Sequence, residues 1–349
     1  MSRRGALAVA LVSAALVVAC GSGPHRALLR VRGSELVDAS NHRVVSRGAT
    51  LYAVPFYDDG GRPDPDLARV TSLVYTRRVE VLRAMADAGV NTVRVPVSLA
   101  LWNADAYGLG GRAGYGARIQ TLVGAARHQG LVVIVAWFDA GTWGSQLEAR
   151  HADTFEMMRA VRALLGDDPG VIYEPFNEPN NVDWPTWERV VSDELRFWRR
   201  ELGYRGVLVI DTIGYSWEFD PGPAMTALAS DAELLGTPQV LFANHRYAND
   251  NSCFCGDEAT TWDAQVARNV GRFPILGDEY GNYNAPYPPS PGWTAGFLRH
   301  LGADVVPAGL NGALAFVWNW VDPNSITQPD AVTLTPYGQE VQRNLWRPA

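Results

Sequence analysis

The 349-residue sequence contains no lysine, so all 30 of its basic residues are arginine. This absence excludes catalysis through a lysine Schiff base, including pyridoxal phosphate enzymes, and it excludes a Walker A loop, because each requires a lysine amine. Cysteine is also scarce, and three residues are too few for a disulfide scaffold or a zinc site of four thiolates. Composition alone therefore removes several large classes of cofactor and nucleotide chemistry.

The remaining composition is that of an ordinary globular protein. Hydrophobic residues make up 47% of the chain and charged residues 19%, well outside the range in which chains stay disordered. The formal net charge of −7 argues against a nucleic-acid partner, because proteins that bind nucleic acid present a basic surface to the phosphates. We expect no cofactor and no metal, and the sequence carries no signal for an oligomeric state.

An apolar run from Ala6 to Ala19, preceded by Arg3 and Arg4, opens the chain. At about 14 residues it has the length of a signal peptide and is shorter than a membrane span of roughly 20. Residues 16–21, Leu-Val-Val-Ala-Cys-Gly, resemble the lipobox of bacterial lipoproteins. We expect residues 1–20 to be a lipoprotein signal peptide, with Cys20 lipidated and the protein anchored at the cell surface. The alternative is an ordinary secretory signal, in which Cys20 has no role and the protein is secreted.

After a short tether at residues 21–27, the chain alternates short apolar runs with amphipathic helical patterns. The runs are nearly continuous, as expected for parallel strands that are covered on both faces. Eight such strand–helix units predict a single (β/α)8 TIM barrel over residues 28–349. A doubly wound sheet is the main competitor, but no Gly-x-Gly-x-x-Gly follows the first strand. The predicted strands are Val44–Ala53, Thr92–Val97, Val132–Trp137, Gly170–Phe176, Gly206–Asp211, Val240–Asn244, Pro274–Gly277 and Ala313–Trp318.

Two further elements are predicted around this barrel. Leu28–Val37, continuing into His42–Ser46, is expected to form a β-hairpin that caps the bottom of the barrel. Between the first two strands, Val79, Leu82 and Met85 form an apolar helical stripe that ends at Gly89, a residue type favoured just after a helix.

Two glutamates follow apolar strands that lie on opposite sides of the barrel mouth. Glu178 comes at the end of the fourth predicted strand and Glu279 at the end of the seventh. In a TIM barrel the functional groups lie at the carboxyl ends of the strands, so these two carboxyl groups would face each other. Glycoside hydrolysis needs one acid to protonate the leaving oxygen and one carboxylate to attack or to activate water. Large aromatic residues, which suit the apolar faces of sugar rings, follow nearly every strand.

Five motifs occur in order at barrel spacing: Arg94 within residues 91–96, Asn177-Glu178-Pro179, His245-Arg246-Tyr247, Glu279-Tyr280-Gly281 and Trp318. Together they resemble glycoside hydrolase clan A, and within it family 5, the cellulase–mannanase group. The resemblance implies that Glu178 is the acid/base and Glu279 the nucleophile of a retaining enzyme, with the two carboxyl groups about 5–5.5 Å apart.

The resemblance also implies roles around the catalytic pair. Arg94 and Tyr247 would hold Glu279 ionised and oriented, Asn177 would bind the sugar 2-hydroxyl, and His245 would line the cleft near Glu178. Trp318 would form the floor of the subsite that is attacked. The family usually has a histidine at the end of the third strand, where this chain has aromatic residues. Trp137 is therefore the candidate substrate contact there.

The remaining predictions concern neighbours of these residues. Glu174 is expected inside the barrel as a buried, satisfied carboxylate. Asp278 is expected to point away from the cleft, because successive strand residues alternate in direction. Cys253 and Cys255 would either form a disulfide at the cleft rim or remain free thiols.

Two functions of different classes fit this sequence. The first is a retaining glycosidase that cleaves β-linked glucan or mannan. The second is a cell-surface sugar-binding lipoprotein without catalysis. The two glutamates favour the enzyme, because a pure binding protein does not need two carboxyl groups across its cleft and burying both unpaired would cost stability.

Overall fold

A computed structural model describes residues 29–54, 65–104, 108–138, 147–219, 225–226, 228, 239–248, 253–282, 290–319 and 324–347. The predicted signal peptide, Cys20 and the tether lie outside the described residues. No helix within these ranges combines the length and the apolar character needed to span a bilayer.

Eight parallel strands close into a barrel in chain order, with the last strand paired to the first. This confirms the predicted barrel. Numbered after the two strands of the N-terminal hairpin, they are β3 Ser46–Thr50, β4 Thr92–Val97, β5 Val132–Trp137, β6 Val171–Glu174, β7 Leu208–Asp211, β8 Val240–Tyr247, β9 Ile275–Gly281 and β10 Gly312–Ala315.

The hairpin consists of β1, Arg30–Arg32, and β2, Glu35–Val37, joined through a turn at Gly33. Apolar hairpin side chains pack against inward-facing strand residues, and the backbone N–H groups of Val31 and Leu36 donate to the side chains of Gln239 and Asn311. Gln239 and Asn311 directly precede β8 and β10, so the hairpin covers the amino-terminal end of the barrel. The predicted continuation is present in part: Val37 forms an antiparallel bridge with Arg43, and the Val44 N–H donates to the Leu36 carbonyl at 2.8 Å.

Helices surround the barrel. Their bounds are Pro65–Thr76, Arg78–Ala88, Leu99–Asn103, Gly111–His128, Leu147–Leu165, Trp184–Arg196, Gly256–Gln265, Pro291–His300, Val306–Ala308 and Pro336–Val341, with π-helical turns at Phe197–Glu201, Leu301–Val305 and Gln342–Trp346 and a 3₁₀ turn at Ala267–Asn269. The helix Arg78–Ala88 ends at Gly89 as predicted, in the left-handed conformation with φ 103°. Its buried stripe begins at Val81 instead of Val79, which is 50% exposed.

Strand β9 contains one extra residue relative to both neighbours. Leu276 pairs with Ala243 of β8 and Glu279 pairs with His245, so an advance of three residues along β9 matches an advance of two along β8. The pairing of β9 with β10 shows the same mismatch. Such a bulge breaks the alternation of side chains. The prediction that Asp278 points away is therefore wrong: its carboxylate lies inside the barrel, 3.4 Å from the His245 ring, and is fully buried.

Candidate active site

Arg94, in the middle of β4, is fully buried and connects most of the site. Its Nε donates to Glu174 at 2.7 Å, and its Nη2 donates to the same carboxylate and, at 2.6 Å, to the amide oxygen of Asn177. Nη1 donates to Glu279. The ring of Phe138 lies 4.6 Å from the guanidinium carbon, a cation–π contact. Glu174 is thus the buried, satisfied carboxylate predicted from the sequence.

Glu279 lies within β9 and is 4% exposed. One of its oxygens accepts from Arg94 and the other from the hydroxyl of Tyr247, on the adjacent strand β8. Burial and the Glu279 charge raise the pKa of Tyr247 well above its usual value, so this hydroxyl keeps its proton and donates. The two contacts hold the Glu279 carboxylate in one orientation.

Glu178 follows β6, on the opposite side of the barrel mouth. Its backbone is left-handed, with φ 53°, a conformation that costs a non-glycine residue about 1 kcal/mol or more. The carboxylate of Asp211 accepts from the Glu178 backbone N–H at 2.7 Å and stabilises this turn. His245 Nδ1 lies 2.8 Å from Glu178 Oε1. Burial first, and then the charge of Glu279, raise the pKa of Glu178 to about 7.

The two glutamates meet across the barrel mouth. One carboxylate oxygen of Glu178 lies within 4.8 Å of one carboxylate oxygen of Glu279, and a ring nitrogen of His245 lies within the same distance of both. His245 Nδ1 is 3.9 Å from Glu279 Oε1. The structure therefore brings together Arg94, Asn177, Glu178, His245, Tyr247 and Glu279.

Trp318 and Trp137 are not part of this cluster, which corrects the prediction for both. Trp318 is fully buried, stacks on Trp346 at 5.8 Å and donates its indole N–H to the carbonyl of Ala331. Trp137 is 3% exposed and packs on Trp198 with 6.2 Å between ring centroids. Both side chains belong to the core between the barrel and its helices. For Trp137 this follows from the alternation of side chains along β5, whereas Trp318 comes after β10 ends at Ala315, where regular alternation no longer holds.

Phenylalanines stand in the places predicted for these tryptophans. Phe316, two residues before Trp318, is partly exposed, with its ring 5.6 Å from that of Tyr52 and 5.8 Å from that of Tyr247. Phe138, one residue after Trp137, covers Arg94. The alternation of strand side chains would have identified Phe138, which directly follows Trp137, but not Phe316, which has the same parity as Trp318.

Asp211, at the end of β7, is a site residue that sequence reasoning missed. It is buried, and its Oδ2 accepts from Ser216 Oγ at 2.9 Å as well as from the Glu178 backbone. The available signal was a charged residue at the exit of an apolar strand, the same signal that identified Glu178 and Glu279.

Cys253 and Cys255 have their sulfur atoms at bonding distance, with Cα atoms 5.4 Å apart. Phe254 between them packs on Trp262 and Trp293, which fixes this segment to the neighbouring helices. The disulfide stays a prediction, which thiol titration would test.

The sequence model described as "Cellulase (glycosyl hydrolase family 5)" matches residues 70–291, more than half of the chain. The chain belongs to glycosyl hydrolase family 5. The prediction of a glycoside hydrolase is thereby confirmed at the level of the family.

Curated relatives of this family 5 chain include two endoglucanases. It is 25% identical over 282 residues to endoglucanase N of Pectobacterium atrosepticum, covering 80% of this chain and 56% of the relative. It is 24% identical over 282 residues to endoglucanase 5 of Pectobacterium carotovorum subsp. carotovorum, covering 80% and 49%. The chain thus spans about half the length of these relatives.

Solved structures confirm the fold. The cellulase Cel5C_n superposes with a TM-score of 0.66 at 17% identity, covering 92% of each chain. The catalytic domain of a mannanase from Streptomyces sp. SirexAA-E superposes with a TM-score of 0.63 at 16% identity, covering 99% of this chain and 96% of that one.

A buried carboxyl group beside the site gives a stability prediction. Glu194, on the helix Trp184–Arg196, is 1% exposed and shares a small cavity with Asp211. Among the described residues its Oε1 has no hydrogen-bond partner. Burial, and then the Asp211 charge, raise the pKa of Glu194 to about 8. Its contribution to stability is therefore complete below pH 4.5, the ordinary range of a glutamate, and is lost as the pH rises towards 8.

Glu194→Gln removes this titration. We expect the free energy of unfolding of the variant, relative to wild type, to increase by about 3 kcal/mol between pH 5 and pH 8, as measured by urea denaturation. Glu201→Gln, at an exposed ion pair with Arg159, is the control and should show no such change. If the free energy of unfolding of Glu194→Gln differs from that of wild type by the same amount at pH 5 and pH 8, the prediction is contradicted.

Proposed function

We propose that the protein is a retaining glycoside hydrolase that cleaves β-linked glucans or mannans, with Glu178 as acid/base and Glu279 as nucleophile. The observation that carries this proposal is the spacing of the two carboxylates, whose nearest oxygens lie within 4.8 Å. Between carboxyl groups, the separation is about 5–5.5 Å in a retaining pair and about 6.5–9.5 Å in an inverting pair, and nearest oxygens this close favour the shorter separation.

The contacts of each glutamate suit its proposed step. Glu178 protonates the leaving oxygen while Glu279, fixed by Arg94 and Tyr247, attacks the anomeric carbon and forms a glycosyl ester. Glu178 then removes a proton from a water molecule that attacks the same carbon, and Glu279 leaves. Because the Asn177 oxygen accepts from Arg94, its amide N–H groups are directed to the sugar 2-hydroxyl.

The class of substrate rests on the relatives. The two Pectobacterium proteins are endoglucanases, and solved structures with the same fold include a Thermobifida fusca endoglucanase with cellotetraose and a Streptomyces thermolilacinus β-mannanase with mannohexaose. On this similarity we propose a β-linked glucan or mannan as the substrate of this chain.

A panel of β-glucans, β-mannans and activated aryl β-glycosides tests the proposal, with wild type beside Glu178→Ala and Glu279→Ala. We expect wild type to cleave at least one substrate and Glu279→Ala to cleave none at a measurable rate. If nothing is cleaved and one oligosaccharide binds equally to all three proteins, the sugar-binding function replaces the enzyme.

The pH dependence follows from the pKa of Glu178. Since Glu178 must be protonated for the first step, we expect kcat/KM to fall as the pH rises above about 7. The charge of Glu279 contributes to this raised pKa, so Glu279→Gln should lower the pKa of Glu178. Titration of ¹³C-labelled glutamate carboxyls by NMR measures it directly. An unchanged pKa in Glu279→Gln would contradict the electrostatic coupling of the pair.

Phe316 is the proposed aromatic platform of the attacked subsite, because it is partly exposed beside Tyr247, which binds Glu279. We expect Phe316→Ala to lower kcat/KM on oligosaccharides by roughly 10-fold or more through lost sugar stacking. Trp318→Phe, in the buried core, is the control and should change stability more than kcat/KM. The reverse pattern would return the platform to Trp318.

We also propose that the protein is exported and anchored through lipidated Cys20. Cell fractionation of the full chain tests this. Wild type is expected in the membrane fraction, and Cys20→Ala is expected to lose the lipid mass and leave that fraction. Equal fractionation of both proteins would contradict the anchor.

A further inference from the structure

His245 is enclosed by carboxylates at both ring nitrogens. The side chain, on β8, is fully buried, and its Nδ1 contacts Glu178 Oε1 at 2.8 Å. Its Nε2 faces the barrel interior, 3.4 Å from Asp278 Oδ1 and 3.6 Å from Asp211 Oδ2. Glu279 is the fourth carboxylate that faces the ring, 3.9 Å from Nδ1.

The two interior carboxylates have different surroundings. Asp211 is held by the Glu178 backbone N–H and by the hydroxyl of Ser216. Asp278 lies between Arg94 and the His245 ring, with Oδ2 3.7 Å from Arg94 Nε and Oδ1 3.4 Å from His245 Nε2, and neither oxygen has a hydrogen-bond partner among the described residues. Leu276 faces the barrel interior, so Asp278, two residues later, does too, and the bulge in β9 brings the next residue, Glu279, inward beside it.

A neutral imidazole cannot donate to both sides, because only one of its nitrogens carries a proton. With the proton on Nε2, facing the two aspartates, a bare Nδ1 would accept the acidic proton of Glu178. That proton would then point at His245 instead of at the leaving oxygen. With the proton on Nδ1 alone, the bare Nε2 would face the carboxylates of Asp278 and Asp211. With protons on both nitrogens, Nδ1–H donates to Glu178 Oε1, the other Glu178 oxygen carries the acidic proton, and Nε2–H faces the two aspartates.

We propose that Asp211 and Asp278 are positioning residues that hold His245 as an imidazolium, so that Glu178 presents its proton to the leaving group. The proposal rests on the proposed function and deepens it. Burial lowers the pKa of His245, but the charges of Glu279, Asp278 and Asp211 outweigh it and raise this pKa well above its usual value. His245 keeps both protons throughout: Glu178 gives its own proton to the leaving oxygen and regains one from the attacking water.

The kinetic test compares two substrates that share one sugar, chosen from the panel above: an unactivated oligosaccharide and a dinitrophenyl glycoside, whose leaving group needs no proton. We expect Asp278→Asn and Asp211→Asn to lower kcat on the oligosaccharide by about 10-fold or more and on the dinitrophenyl glycoside by less than about 3-fold. Equal losses on both substrates would reveal a merely structural role and overturn the proposal, as would unchanged rates on both.

The protein offers a matched control at its surface. His300 also lies between two aspartates, with Nε2 2.8 Å from Asp263 and Nδ1 2.9 Å from Asp304, but outside the site. Asp304→Asn should leave the rates on both substrates unchanged. If it shows the same selective loss as Asp278→Asn, the effect does not arise at His245 and the proposal fails.

A spectroscopic readout separates this proposal from the proposed function. In ¹⁵N-histidine-labelled wild type at pH 7.5, we expect both ring nitrogens of His245 to show the ¹⁵N chemical shifts of an imidazolium. In Asp278→Asn these chemical shifts should move towards those of a neutral imidazole. The signals that disappear in His245→Gln assign the resonances. Neutral shifts in wild type would overturn the proposal whether or not the protein is an enzyme.

A metal ion is the competing occupant of this position, because the donor atoms of Asp211, His245 and Asp278 lie within 4.8 Å of one another. Treatment with EDTA should leave both the rates and the His245 shifts unchanged. A loss of activity on chelation, restored by a divalent cation, would place a metal at His245 Nε2 and contradict the imidazolium.

Discussion

Glu279→Ala is expected to lower kcat on every cleaved substrate by roughly 10⁴- to 10⁶-fold, the largest loss of any single substitution in this protein. In the proposed mechanism this carboxylate forms the covalent bond to the anomeric carbon, and among the described residues no other carboxylate is held by both Arg94 and Tyr247. The loss should be similar for dinitrophenyl glycosides and oligosaccharides, because attack is required whatever the leaving group. Steady-state rates measure this loss of kcat, and contaminating wild-type enzyme sets the lowest rate that can be detected.

An external nucleophile provides the control for this variant. In Glu279→Ala, azide can enter the space left by the carboxylate, and we expect it to give an α-glycosyl azide from an activated β-glycoside. Glu201→Ala, far from the site on an exposed ion pair, should keep the wild-type rate. Retention of a substantial rate in Glu279→Ala would remove this residue as the nucleophile.

Glu178→Ala is expected to show the second largest effect, and one that depends on the leaving group. Loss of general acid catalysis lowers the rate by about 10²- to 10⁴-fold on oligosaccharides. On a dinitrophenyl glycoside the first step needs no proton, so the glycosyl-enzyme should form and then accumulate, because the base for its hydrolysis is missing. A burst of dinitrophenolate followed by a slow steady state is the expected time course.

Azide should accelerate the slow phase of Glu178→Ala and release a β-glycosyl azide, because it attacks the glycosyl-enzyme without needing a base. Opposite azide anomers from the two variants would assign both roles in one pair of experiments. If Glu178→Ala shows the same loss on both substrates and no azide rescue, Glu178 is not the acid/base.

The fold was predictable because parallel barrel strands are buried on both faces. Eight apolar runs marked eight strands, but the ends of two strands were placed too early. Strand β8 continues through His245 to Tyr247, and β9 continues through Glu279 to Gly281. A prediction based on hydrophobicity ends a strand at its first polar residue. In the structure the strand continues through polar residues, because their side chains have partners inside the barrel.

The sequence predicts those site residues that belong to a recognisable motif, and it does not predict those whose position depends on the geometry of the fold. Glu178, Glu279 and their contacts to Arg94, His245 and Tyr247 follow from motifs that the family shares. That the consecutive residues Asp278 and Glu279 both face the interior depends on a bulge that a single sequence does not reveal, and the role of Asp211 depends on its contact with a backbone N–H. The prediction for Trp137 neglects the outward direction of its side chain on β5, whereas Trp318 lies beyond the end of β10, where strand alternation gives no direction.

The anomeric configuration of the first product tests the central claim most directly. Wild type is mixed with its best β-linked oligosaccharide and followed by ¹H NMR from the first seconds, before the product mutarotates. A pair of carboxylates this close predicts that the β-anomer appears first and that the α-anomer grows in later. An initial α-anomer would show inversion by a single displacement and would contradict the assignment of Glu279 as the nucleophile.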